Sequence, residues 1–375
     1  MHQDLKLWKS ECLNGDDRRI AVMRVSMGME SRDRVLEALE HNEPDCVPTF
    51  FLGFTPQWVE KVIRRRPRDF LDDFLPMYEM FDSDVVVAGP DVFYPYDVYA
   101  TTDRVDEWGR RLRVCGLYSE FVDFPIKRPE DIDNYEPPNP HSPDRTREIA
   151  GAKKRIGDEK AIMSVVNGPF EPAWQLRGLK TFLKDVYVDP SLVEKCLEIV
   201  TSFEIEVAKE LIDAGADIIM VGDDYGWQNG LVISPHHWRK MILPRLRRVV
   251  DVIKSREVPV VLHSDGNISA ILDDLAKIGL DGLNPIQSRC GLVPSELKAK
   301  YPQLAQVGTV DIQHTLPFGT MNEIESEIRD TIDGAGEGGG LIMGPQHAVQ
   351  PDVPVENVEI LVKAIRRYGR YPIGQ

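Results

Sequence analysis

At 375 residues, with 42% hydrophobic and 28% charged side chains, the chain has the length and apolar content for one large α/β domain with a substantial core. Its formal net charge of −16 argues against nucleic acid or an anionic membrane as the main partner, because both require a basic footprint. The longest strongly apolar stretches, such as Ala216 to Gly222, fall far short of the ~20 residues a membrane helix needs, and the charge-studded N-terminus lacks the apolar core of a signal peptide, so a cytoplasmic protein is expected.

In chain order, residues 1–30 read as an N-terminal appendage, with Met27 and Met29 offering an alternative start. A helix is predicted from Ser31, a favourable N-cap, with Val35, Leu36 and Leu39 on one face. Short apolar or β-branched runs then alternate with amphipathic helical stretches. The runs are 47–54, 84–89, 161–168, 217–223, 258–265, 282–287, 305–311 and 340–347. Near-continuous apolar strands alternating with helices imply a parallel sheet covered on both faces, and eight such units suit a closed (β/α)8 TIM barrel over 31–372. An open doubly wound sheet is the alternative, but no G-x-G-x-x-G follows the first run. Between the second and third runs lies an insertion of about 94–155. It holds an alternating stretch at 111–124, which reads as a β-hairpin, and the Pro-rich YEPPNPHSPD, which reads as a loop or lid. Asp189-Pro190 opens a long helix ending near Ala214, and Ser234-Pro235 opens another.

In such a barrel, polar residues at strand C-termini point into the active site. The fourth strand ends in Gly222-Asp223-Asp224, the fifth in His263-Ser264-Asp265, the sixth in Asn284-Pro285-Ile286-Gln287, the seventh in Gly308-Thr309-Val310-Asp311 and the eighth in Gln346-His347. His263 and Asp265, two residues apart, point the same way along a strand. Closure of the ring brings His347 round as a third group, and three protein ligands with a fourth position open is the pattern of catalytic zinc. A metal-free His–Asp acid/base pair is the other reading. Of Asp223 and Asp224 only one faces the mouth; Asp311 is either functional or a loop cap. His236 and His237 read as surface residues, and His314 as a loop residue near the mouth. Trp174, Phe170, Trp227 and Phe54 lie near strand ends and suggest an aromatic pocket wall. Five scattered cysteines, at 12, 46, 115, 196 and 290, include no C-x-x-C, so reduced thiols are expected; Cys290 alone sits near a strand end, where a soft ligand is conceivable but a free thiol is expected.

The stretch RDRVLEALEHNEPDCVPTF, from Arg32 to Phe50, resembles the opening of uroporphyrinogen decarboxylase-like proteins, whose pattern runs R-x-x-x-A-L-x-x-x-x-P-D-R-V-P. Ser234-Pro235 with its helix, H-S-D-G on the fifth strand, G-T-V-D at 308–311 and the closing GPQHAVQPDVPVENV fit the same superfamily over about 30–370. True decarboxylases of this kind carry an arginine-rich segment after the first strand that neutralises the porphyrinogen carboxylates. Here that stretch, Phe51 to Gln57, has no arginine. The other branch, corrinoid-dependent methyltransferases, is similar in using H-x-C on one strand and a third zinc ligand near the last strand. The matching positions read His263, Asp265 and His347, a harder and more Lewis-acidic set that suits an oxygen-bearing methyl donor.

The resemblance therefore implies a methyltransferase that moves a methyl group from a small O-methyl donor, such as an aryl methyl ether, to a corrinoid carried on a separate protein. Zinc would sit on His263, Asp265 and His347; Asp223 or Asp224 would serve catalysis; Asn284, Gln287, Asp311 and Trp174 would meet the substrate. A metal-free carboxy-lyase using a protonated His347 is the second reading, and a non-catalytic corrinoid- or tetrapyrrole-binding barrel the third.

Overall fold

The computed structural model describes residues 28–90, 103–115 and 118–374. Nearly all of the expected N-terminal appendage, and residues 91–102 around the start of the expected insertion, lie outside the described residues. The strands are β1 (Val85–Val87), β2 (Arg104–Val105), β3 (Arg111–Cys115), β4 (Tyr118–Asp123), β5 (Ala161–Asn167), β6 (Ile218–Gly222), β7 (Gly226–Trp227), β8 (Gly230–Leu231), β9 (Val260–His263), β10 (Gly282–Asn284), β11 (Ala305–Val307) and β12 (Leu341–Ile342). Seven of them form one curled parallel sheet in the order β1-β5-β6-β9-β10-β11-β12, each next to its neighbour in the chain. Helices make the crossovers, among them Pro190–Asp213, whose first turn is capped by the Asp189 side chain accepting from the Leu192 N–H. Strand residues such as Val86, Ile162, Val165, Val221 and Val261 are buried, as both faces of a parallel sheet must be.

The first of the eight expected strands is not a regular strand. Pro48 offers no N–H, and the Thr49 N–H is spent on the Asp84 carboxylate at 2.7 Å, so a ladder does not propagate. Residues 47–54 nevertheless touch both edges of the sheet. Thr49 bridges Met343 in parallel sense, the Phe50 N–H donates to Met343 O at 2.7 Å, and the Asp84 N–H donates to Thr49 O at 2.9 Å. The other strands stop short of their expected ends, so that Asp223, Asp265, Gln287, Asp311 and His347 all sit in loops just beyond them. Pro285 and Pro345 lack the N–H needed to continue a ladder. Two smaller features differ as well: Glu30, not Ser31, stands at the N-cap position of the first helix and makes no side-chain cap bond, and β2, β3 and β4 form a three-stranded antiparallel sheet in place of the expected hairpin. No helix among the described residues is long and apolar enough to cross a membrane.

Below the sheet, at the N-terminal ends of its strands, Asp84 is fully buried between two guanidinium groups. Arg34 Nη1 lies 2.5 Å from its Oδ1 and Arg366 Nη2 lies 2.9 Å from its Oδ2. Burial alone would raise the carboxyl, but Arg366 and Arg34 outweigh it and hold Asp84 below the usual carboxylate range. A carboxyl more acidic folded than unfolded contributes stability that is complete above its unfolded value and is lost as pH falls through the folded one. Asp84→Asn is expected to cost about 3–5 kcal/mol at pH 7, because it leaves buried arginine charge uncompensated. Urea unfolding measured from pH 7 to pH 3 checks this: the cost should shrink on acidification, and a cost independent of pH counts against it.

Candidate metal centre and active site

Parallel register brings three strand ends to one level. His263 pairs with Gly222 of β6 on one side and with Asn284 of β10 on the other. The loops just beyond these three residues therefore share one mouth. His263 is 2% exposed. Its Nδ1 lies 2.6 Å from Asn284 Oδ1 and its Nε2 lies 3.9 Å from Asp224 Oδ1. Asp265 is half-buried, and its Oδ1 accepts from Gln287 Nε2 at 2.9 Å. His347, beyond β12, has its ring centroid 5.8 Å from that of His263. One ligand atom each from His263, Asp265 and His347 falls within 4.8 Å of the other two, so the three groups do converge.

The electrostatics of the cluster are those of a carboxylate-rich, poorly solvated cavity. Burial raises Asp265 despite the opposing pull of His263. Burial and then Asp265 raise Asp224. Burial, Asp224 and Asp223 push Glu171 well above the usual carboxylate range. Burial, and then His263, push His347 down to about 4, so its ring is neutral at pH 7. Neutral imidazole is the form that binds metal, and a divalent cation at this point would offset the crowded carboxylates. Two imidazoles and a carboxylate form a donor set that zinc accepts.

Several expected substrate-facing residues have other work. Asp223 is fully buried; its Oδ2 accepts from the Phe170 N–H at 2.8 Å and its Oδ1 from the Glu171 N–H at 2.6 Å, so it caps the helix Phe170–Arg177. Asp224, its neighbour, is the one that faces the mouth, and its Oδ1 also accepts from the Asp265 N–H at 2.8 Å. Asp311 is a loop cap. Its Oδ2 takes Arg289 Nε at 2.5 Å, and its Oδ1 takes the N–H groups of Gln313 and His314 at 2.7 and 3.0 Å. Asn284 and Gln287 each contact a metal-cluster residue and the backbone. The four aromatic residues of the expected wall sit in separate surroundings. Phe54 packs with Phe51, Trp58 and Tyr78, Phe170 with Phe182 and Tyr225, and Trp174 edge-on against Phe121, while Trp227 is 66% exposed. His237 stacks edge-on with Tyr187 at the surface, and His314 is exposed beside Asp311. Glu171 joins this acidic cluster without having been singled out among the strand-end residues of the sequence. Its signal was the same strand-end rule, applied four residues past the end of β5.

Beside the end of β5 lies a cavity of about 460 Å³ against the antiparallel sheet, bordered by Asn167, Trp108, Arg110 and Arg145. Arg110 is paired with Asp106 and Arg145 with Glu107, so neither cation is uncompensated there.

A curled parallel sheet with its polar cluster at the C-terminal mouth defines an α/β protein of enzyme-like build. The chain belongs to the uroporphyrinogen decarboxylase (URO-D) family, whose model matches residues 116–368. It is 28% identical over 216 residues to the methylcobamide:CoM methyltransferase MtaA of Methanosarcina barkeri, a match covering 58% of this chain and 61% of that protein. It is 23% identical to the uroporphyrinogen decarboxylase of Pseudoalteromonas atlantica, covering 92% of this chain and 98% of the relative. In fold it is similar to a methyltransferase from Methanosarcina mazei, with TM-score 0.73, 22% identity, and coverage of 91% and 99%. The match to MtaA thus spans about three fifths of that relative's length.

Proposed function

We propose that this protein is a metal-assisted methyltransferase that takes a methyl group from a small O-methyl compound, such as an aryl methyl ether, and passes it to a corrinoid on a separate cytoplasmic carrier protein. The observation that carries this reading is the convergence of His263, Asp265 and His347 within 4.8 Å at the mouth. The similarity to MtaA supports it, and the closed (β/α)8 ring expected from eight segments is the architecture in which we read the site. His263, Asp265 and His347 would hold zinc, which supplies Lewis acidity toward an ether oxygen. Asp224, 3.9 Å from His263 Nε2, would orient the bound donor, and Glu171, whose carboxyl is pushed well above the usual range by burial and by Asp224 and Asp223, would serve as the acid toward the departing oxygen.

The carboxy-lyase reading has the longer matches in its favour, but two observations weigh against it. It calls for a protonated His347, whereas burial holds that ring near 4, and residues 51–57 carry no arginine for a polycarboxylate. The test begins with metal analysis of protein purified without chelator, where about one zinc per chain is expected. Reduced cobalamin is then offered with a panel of methoxylated aromatics, and methyl-cobalamin formation is followed by its visible spectrum. Absence of stoichiometric metal together with a silent panel overturns the proposal, as does loss of carboxyl groups from uroporphyrinogen.

A further inference from the structure

Asn284 ends β10 level with His263, is 2% exposed, and uses both ends of its amide. Its Nδ2 donates to Val307 O at 2.9 Å, so the group cannot turn over without setting its oxygen against that carbonyl. Oδ1 therefore faces His263 Nδ1, 2.6 Å away. An acceptor at Nδ1 requires the proton to be there, and a neutral imidazole has only one, so the lone pair lies on Nε2. Gln287, three residues on, is fixed by the same logic. Its Oε1 accepts from the Gly266 N–H at 2.7 Å, which leaves its Nε2 to donate to Asp265 Oδ1 at 2.9 Å.

We infer that Asn284 and Gln287 are positioning residues, a brace from the end of β10 and the loop after it that sets the tautomer of His263 and the orientation of Asp265 before any metal arrives. This deepens the metal-site reading and rests on it for the identity of the ligands. His347 is not set in the same way. Its Nδ1 accepts from the Ala348 N–H at 2.9 Å, which places the proton of the neutral ring on Nε2. His263 and His347 thus stand in opposite tautomers. His347 joins a metal by giving up its bond to Ala348, either at Nδ1 directly or after a shift of the ring proton from Nε2.

Nitrogen-15 NMR of the metal-free wild-type protein reads both tautomers directly. The expected result is His263 protonated at Nδ1 and His347 at Nε2. Finding His263 protonated at Nε2 overturns the inference, whether or not any variant folds. Zinc titration of variants supplies the second readout. Asn284→Leu, which removes the acceptor, is expected to weaken zinc about 10–100-fold and to mix the His263 tautomers. Asn284→Asp, as the neutral acid, keeps a carbonyl toward His263 and an O–H toward Val307, and is expected to restore both the tautomer and most of the affinity. Gln287→Met is expected to weaken zinc while leaving the His263 tautomer unchanged. A folded Asn284→Leu protein with wild-type tautomer and wild-type zinc affinity refutes the brace. Wild-type protein showing both expected tautomers but binding no zinc supports the positioning of His263 and sinks the metal reading instead.

Discussion

Replacing His263 by alanine is expected to strip the metal and to lower methyl transfer at least about a thousand-fold, the scale of losing a Lewis acid at the reacting oxygen. His263 is the side chain on which the other members of the cluster depend. Asn284 is oriented toward it, Asp224 approaches its Nε2, and both Asp265 and His347 respond to it electrostatically. Its removal also leaves Asn284 Oδ1 buried without a donor, at a cost of about 1–3 kcal/mol. Fold loss and site loss therefore have to be separated. Far-UV circular dichroism and a urea midpoint report the first; metal content and the single-turnover rate report the second. His314→Ala, an exposed substitution beside Asp311, is expected to leave all four readouts unchanged. If His263→Ala protein keeps its metal, or transfers methyl groups within tenfold of wild type, the centre lies elsewhere.

The sequence alone brings this cluster together, because the rule is topological: polar groups at the C-terminal ends of parallel strands meet. That rule placed His263, Asp265 and His347 together although 84 residues separate the first from the last. It did not say which way each amide or carboxylate turns, because that depends on partners remote in sequence. Asp223 turns to N–H groups 52 and 53 residues earlier, and Asn284 to a carbonyl 23 residues later. The rule therefore leaves unsaid that Asp223, Asn284, Gln287 and Asp311 also make hydrogen bonds within the fold. The same limit applies to the first strand, where a competing side chain, Asp84, takes the Thr49 N–H that a ladder would need. Glu171 was hidden for a different reason. It lies between Phe170 and Trp174, where the aromatic rings carry the stronger sequence signal, and only the approach of Asp223 and Asp224 makes it part of the acid cluster.

Gly266→Ala is expected to damage the centre through the backbone alone. Gly266 has φ +81°, in the left-handed region, and a Cβ added there would stand 2.7 Å from Gly226 C and 2.8 Å from Trp227 O. Those are backbone atoms of the β7–β8 hairpin and have no rotamer by which to retreat. The clash falls where the brace is anchored. The Gly266 N–H is the donor that fixes Gln287, and the Asn267 N–H ties the same loop to Trp227 O at 2.7 Å. Relief of the clash has to move either the hairpin or the loop carrying Asp265. Left-handed strain costs an alanine about 1–2 kcal/mol, and backbone displacement is expected to bring the total to about 2–4 kcal/mol. Gly338→Ala isolates the first contribution, since Gly338 has φ +71° and nothing within 4 Å of an added Cβ. That variant is expected to lose about 1–2 kcal/mol with zinc affinity intact. Gly266→Ala is expected to lose more stability and, in addition, at least about tenfold in zinc affinity, as displaced supporting groups do. Equal zinc affinity in the two variants would mean that the metal does not depend on where this loop sits, which is incompatible with Asp265 as a ligand.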